Sequence, residues 1–298
     1  MNKVRIITDS TSDLNEELYN KYGIDIISLK INFGCETYVD RKTINSKKLF
    51  EMVKEKGILP KTAAPTILEI VDMFKKHLDA GEDIIFCPIS SEFSSTFANG
   101  IIAIKELPEE QQKRVRCLDS RSLSSGIGLI LCAMGELSIK GKGLDEVYKE
   151  GESMVDRVNA EFVVDTMEYL FKGGRCSGVS YYFGSKLFLH PVIRVENGGM
   201  VVHKITRGKL IKGMDFQINE FTKQLKVNNV IFDKIFITSP FGAEKLDEYM
   251  MKKVKELVGP EHADNVIATP AGSIVSSHCG PDTIGLLYVT KTRVIKAK

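Results

Sequence analysis

The chain has 298 residues, 43% of them hydrophobic, which is enough to bury one large core or two of ordinary size. Its formal net charge of +2 comes with no broad basic stripe, which argues against nucleic acid as a partner. The longest apolar runs, such as IGLILCAMG, are too short to span a bilayer, and MNKVRIITDS reads as a strand running into Asp9 rather than a secretory signal. The expected protein is cytoplasmic, with no stable membrane insertion.

The first half alternates strand and helix. VRIITDS predicts a strand, Ser12 a cap for a helix through Tyr22, IDIISLKINF a second strand, and Ser46 to Lys56 an amphipathic helix. Pro65 and Thr66 open a helix to Leu78, DIIFCPI is a central strand, and Ser94 to Leu107 is the next helix. RVRCLD and a helix from about Leu123 to Ile139 follow. Such alternation predicts a parallel sheet covered on both faces, with ligands at the carboxyl ends of its strands.

The second half has another rhythm. A polar helix from about Leu144 to Asn159 precedes the strand EFVVDT. PVIRVENGGMVVHKIT reads as a hairpin turning on Asn197 and Gly198. Helices near Lys209 to Lys226 and Ala243 to Val258 flank KIFITS, and NVIATP and TIGLLYVT close the pattern. This predicts a mixed or antiparallel sheet and a two-domain α/β protein: a parallel α/β/α domain over 1–158 and a two-layer α/β domain with a mixed sheet over 159–298.

The residues richest in chemistry lie in IIFCPISSEFSSTFAN. An apolar strand runs into Ser90, Ser91, Ser94, Ser95 and Thr96 and then opens a helix, which gathers hydroxyls and free backbone N–H groups into an anion seat. The competing account is a helix with surplus N-caps. The turn Lys172-Gly173-Gly174-Arg175 has the same two accounts, an anion nest or a plain C-cap. His278, in SIVSSHCGPD, is placed in a loop, with an imidazole suited to a carboxylate or phosphate. Six cysteines without a CxxC pair read as reduced thiols, and five scattered histidines suggest no metal site. Neither GxxxxGK[ST] nor a GxGxxG after the first strand is present, so no nucleotide loop is expected.

Taken together, ITDSTSDL, PKTAAP, ISSEFSSTF, LDSRSLSSGIG, DTMEYLFKGGRCSG, HPVIRVENG, TRGK and SSHCGPDTIG resemble, in order along the chain, the motifs of the DegV family of bacterial fatty-acid-binding proteins. The resemblance implies a non-catalytic carrier that needs no cofactor. One long-chain fatty acid would lie between two domains and be presented to a separate ATP-dependent fatty-acid kinase that makes acyl phosphate. It places the carboxylate on hydroxyls matching Thr62 and Ser94, counts Ser95 and His278 with that seat, and puts Arg175 and Arg207, with His278, at the head-group end and the kinase-facing surface. The acyl chain would enter a tunnel in the C-terminal domain, with Tyr169 to Phe171 and Tyr181 to Leu189 as segments apolar enough to line it. Ala63 and Ala64 stand where the family often has Ser and Gln, Ser95 where Gly is usual, Phe97 and Ala98 for Tyr-Gln, and Asp282 where Gly is common. Two other functions suit the same residues: a Ser94 and His278 hydrolase, and a lipid-occupancy sensor.

Overall fold

The structure, a computed structural model, describes residues 2–177 and 188–293. β1 (Val4–Asp9) is almost continuously apolar because both its faces are covered. It ends in a 3-10 turn, Ser10–Ser12, capped by the Asp9 side chain. The first helix, α1 (Glu16–Tyr22), starts from Asn15 rather than Ser12, whose hydroxyl is taken up by Tyr19 Oη and Asp9 O. IDIISLKINF is not one strand. β2 (Asp25–Ile27) pairs in parallel with β1 until β1 ends at Asp9. There the Leu29 N–H turns to Ser10 Oγ at 3.1 Å, and the chain leaves the sheet.

It resumes as β3 (Lys30–Phe33), which joins β4 (Glu36–Val39) and β5 (Lys61–Ala63) in an antiparallel sheet of order β4-β3-β5 that the sequence pattern does not announce. α2 (Ser46–Lys56) separates β4 from β5. α3 (Ile67–Asp79) opens with a capping box between Thr66 and Glu69. β6 (Asp83–Phe86), α4 (Thr96–Lys105), α5 (Glu109–Gln112), β7 (Val115–Cys117), α6 (Ser125–Ile139) and α7 (Leu144–Val155) complete this half. The parallel sheet has the order β2-β1-β6-β7.

The remaining elements are β8 (Val158–Val163), α8 (Glu168–Gly173), β9 (Cys176–Ser177), β10 (Leu189–Glu196), β11 (Gly199–Arg207), α9 (Ile211–Lys226), β12 (Val230–Ser239), α10 (Glu244–Val258), β13 (Val266–Pro270), α11 (Ser273–Cys279) and β14 (Ile284–Thr290). Their strands form a mixed sheet, β13-β12-β14-β8-β10-β11-β9. The hairpin β10–β11 turns on Asn197 (φ 52°) and Gly198 (φ 85°), the positive-φ pair that a two-residue turn requires. His278 lies in the last turn of α11, not in a loop.

On one face of the mixed sheet, Met214 and Phe221 of α9 and Met250 and Val254 of α10 bury against Ile235, Ile237 and Val192. The other face rests on α6. Eleven of the fifteen residues of α6 are buried, since it is apolar around most of its circumference, with Glu136 on the remaining stripe bonded to Tyr22. Ile127, Ile130, Leu131 and Met134 share one core with Ile6 and Ile85 of the parallel sheet and with Phe162, Leu287 and Val289 of the mixed sheet. Close approach is bought with glycines: a Cβ on Gly135 would lie 2.6 Å from the Tyr22 side chain, and one on Gly128 2.5 Å from Leu14. Gly135→Ala should therefore push α1 off α6 and cost about 1–3 kcal/mol in urea unfolding, although alanine is the better helix former. An unchanged midpoint would show that the contact is slack.

Candidate functional site

The site lies beyond the carboxyl end of β6. Two carboxylates shape the loop that follows this strand. Buried Asp9 accepts the Ile89 N–H at 2.9 Å, and Asp119, after β7, accepts the Ser91 N–H at 3.2 Å and the Ser91 hydroxyl at 2.6 Å. Ser90 donates to Gly198 O at 2.8 Å, fastening the loop to the hairpin turn of the mixed sheet. Ser94 Oγ accepts the Thr96 N–H at 3.2 Å and bonds Thr96 Oγ1 at 2.8 Å, while Ser95 makes no cap bond. The hydroxyls thus divide: Ser90 and Ser91 are structural, Ser94 caps the α4 N-terminus, and Ser95 is exposed.

Four of the sequence candidates, Thr62, Ser94, Ser95 and His278, line one cavity of about 280 Å³, and Arg175 stands with them. Leu29, Ile89, Phe93, Leu123, Met200 and Ile274 supply apolar wall. Ala63 and Ala64 also line it, so the two missing polar groups are missing at the site itself. A second, narrower void shares Leu123, Val275 and Cys279 with the first and continues between Phe162, Ala271 and Leu287. Arg207 is elsewhere, exposed at the end of β11. Of the proposed tunnel segment Tyr181 to Leu189, residues 181–187 lie outside the described residues. Tyr169 and Leu170 are buried but are not cavity wall, and Tyr169 packs edge-on against Phe50.

Thr62 Oγ1 and His278 Nε2 are 3.1 Å apart, although 216 residues separate them in sequence. His278 is held by Gly173, where a Cβ would come within 2.6 Å of Nδ1. Gly174, at φ 67°, closes α8 as a C-cap, and Arg175 donates to Gly173 O at 2.7 Å. Burial, reinforced by the Arg175 charge, pushes the imidazole down to about 4, so His278 is neutral near pH 7. Its Nδ1 has no hydrogen-bond partner among the described residues. Ser94 bonds Thr96 rather than His278, and no carboxylate orients the ring, so the pair is not arranged as a nucleophile and base. The Cys279 thiol, buried in the wall, is pushed up by burial and is inert as a nucleophile.

Residues that the sequence did not mark as functional complete the wall: Leu29, Phe93, Leu123 and Met200 read there as ordinary core. No helix among the described residues is long and apolar enough to cross a membrane.

The chain was compared with known proteins. The DegV family model, described as an uncharacterised protein family, matches residues 3–291. A DegV domain-containing protein of Clostridium acetobutylicum is 30% identical over 292 residues, covering 97% of this chain and 98% of the relative. Among solved structures, a DegV family protein from Thermus thermophilus, described for its fatty acid binding, superposes with a TM-score of 0.83 at 25% identity, covering 97% of this chain and 99% of that one. A stearic acid-binding protein from Eubacterium ventriosum gives a TM-score of 0.85 at 23% identity over 98% and 99% of the two chains, a likeness of fold. With the family model matched along nearly its whole length, this chain belongs to the DegV family.

Proposed function

We propose that this protein binds one long-chain fatty acid, with its carboxylate beside Thr62, Ser94, Ser95 and His278 and its acyl chain in the apolar void, and presents it to a separate ATP-dependent kinase. The observation that carries this reading is the meeting of these four residues, from three distant stretches of chain, at one end of a cavity whose remaining wall is mostly apolar. Residues 1–158 then supply the head-group loops, and 159–298 most of the narrower void, through Phe162, Thr238, Ala271, Thr283 and Leu287. The relation to the Thermus thermophilus protein supports the choice of ligand.

The energetics favour such a ligand. At about 0.8 kcal/mol per buried CH₂, roughly 15 methylenes offer on the order of 12 kcal/mol before ordering costs. The head group need only avoid a desolvation penalty, and hydroxyls with a neutral imidazole N–H provide donors for it. The kinase step is supported by the position of Arg207, exposed and outside the cavity, where a docking residue would stand.

Solvent extraction and mass spectrometry of the purified protein should release one fatty acid at about one per chain. An empty protein that also refuses added oleate would refute the reading. Ser94→Ala should weaken retention several-fold and more than Ser95→Ala, because Ser94 is fixed by Thr96 while Ser95 makes no cap bond. Equal retention in a ligand-exchange assay would contradict that assignment. Arg207→Glu should lower phosphorylation of the bound acid by a cognate kinase about tenfold or more with lipid content unchanged, and unchanged phosphorylation would remove Arg207 from the docking surface.

A further inference from the structure

We infer that Asp13 and Asp40 are positioning residues of this site: reaching across from the first half of the chain, they hold the first turn of α11 and so fix the Thr62–His278 contact at its other end. The helix needs such support. It has seven residues, its N-cap is Gly272, and no side chain of its own caps it. The N–H groups of its N-cap and of its first residue are taken by carboxylates far away in sequence. Gly272 N–H donates to Asp13 Oδ1 at 2.8 Å and Ser273 N–H to Asp40 Oδ1 at 3.0 Å. A Cβ on Gly272 would sit 3.1 Å from Asp13 Oδ1 and 3.4 Å from Asp40 Oδ2, so both carboxylates close over the same peptide. Asp13 is held in turn by the Ser124 hydroxyl at 2.6 Å and adopts φ 48°, a conformation that asparagine also tolerates.

Both carboxylates are fully buried. The cation beside them is Arg41, which also pairs with Glu16 at 2.7 Å and lies over the Tyr19 ring. Tyr19 and Cys279 also face Asp13, and Asp9 faces Asp40. Burial outweighs Arg41, pushing Asp13 up to about 7 and Asp40 upward, so the clasp keeps a proton near neutrality. The far end of α11 has the opposite sign, with His278 pushed down to about 4. Burial favours the protonated Asp13 although the Gly272 N–H itself favours the ionised form, so the stability that the folded chain gains from the protonated acid is lost as pH rises from about 4 to 7. A depressed imidazole holds best when neutral and loses its hold as pH falls from about 6.5 to 4. Over the shared window the two effects oppose each other.

The inference deepens the proposed lipid site but is tested without lipid. Amide hydrogen exchange of residues 272–279 in the lipid-stripped full chain, corrected for intrinsic rates, should change less between about pH 5 and 6.5 than in either variant that lacks one end of the pair. In the double variant Asp13→Asn with Asp40→Asn, only His278 remains, and opening should be roughly tenfold or more faster at the lower pH. In His278→Gln it should be roughly tenfold or more faster at the higher pH. Slopes of the same sign in the two variants overturn the inference, and a flat profile in His278→Gln overturns it even where the double variant does not fold. Oleate added to the native chain should further protect 272–279. Opposite slopes without that protection would sink the lipid reading and leave the positioning role standing.

Discussion

The seam between the two large sheets depends on α6 being apolar along both of its packed flanks. A helix buried along both flanks must be covered from two directions, and here the parallel sheet and the mixed sheet supply the covers. That single packing fixes the distance between two sheets that share no strand. It also sets the loop before α6, with Leu123 and Ser124, against α11 and the loop after β6. The cavity is the space left where these loops fail to fill the seam, so its location follows from core packing rather than from any local motif.

Within that seam, polar contacts decide the detail. Asp9 and Asp119 set the loop after β6, and Ser90 fastens it to the hairpin turn. The loop cannot shift without breaking bonds to both halves of the chain. Such over-determined loops are what an orienting site requires, since a hydroxyl that wanders gives a carboxylate little compensation for lost water. Ile274 adds an apolar anchor by burying in the small core under the three-stranded sheet, next to Leu29, Ile31 and Leu49.

Much of this was legible in the sequence, and what was not has physical causes. The hairpin at Asn197-Gly198 and the helix start at Pro65 and Thr66 were readable because their chemistry is local. IDIISLKINF misled because its apolar pattern runs on past the point where β1 ends, and only the partner strand reveals the break. α11 was hidden because seven residues carry too little periodicity, and its caps come from Asp13 and Asp40, more than two hundred residues away. Ser94, Ser95, Arg175 and His278 stood out from the residues and Thr62 through family likeness; all five share a cavity, whereas Arg207 stands apart. Asp9 and Asp13 in TDSTSD were readable only as polar residues at a strand end. Nothing in a sequence separates a solvated carboxylate from one with no solvent exposure.

The composition of the cavity assigns separate tasks to its two ends. A fatty acid entering it would meet hydroxyls and a neutral imidazole, not a buried cation, because a lone cation there would carry its own desolvation penalty while the site is empty. Positive charge is kept to the exposed Arg175, where solvent screens it and lessens its hold on an anion. Affinity must then come from the apolar wall, with the polar end setting which way the ligand points. That division suits the proposed presenting role. A carboxylate clamped by buried cations would be a poor nucleophile toward a phosphoryl donor, whereas one held as proposed, by hydroxyls near the exposed Ser95, would keep its charge and a path to a partner's active site.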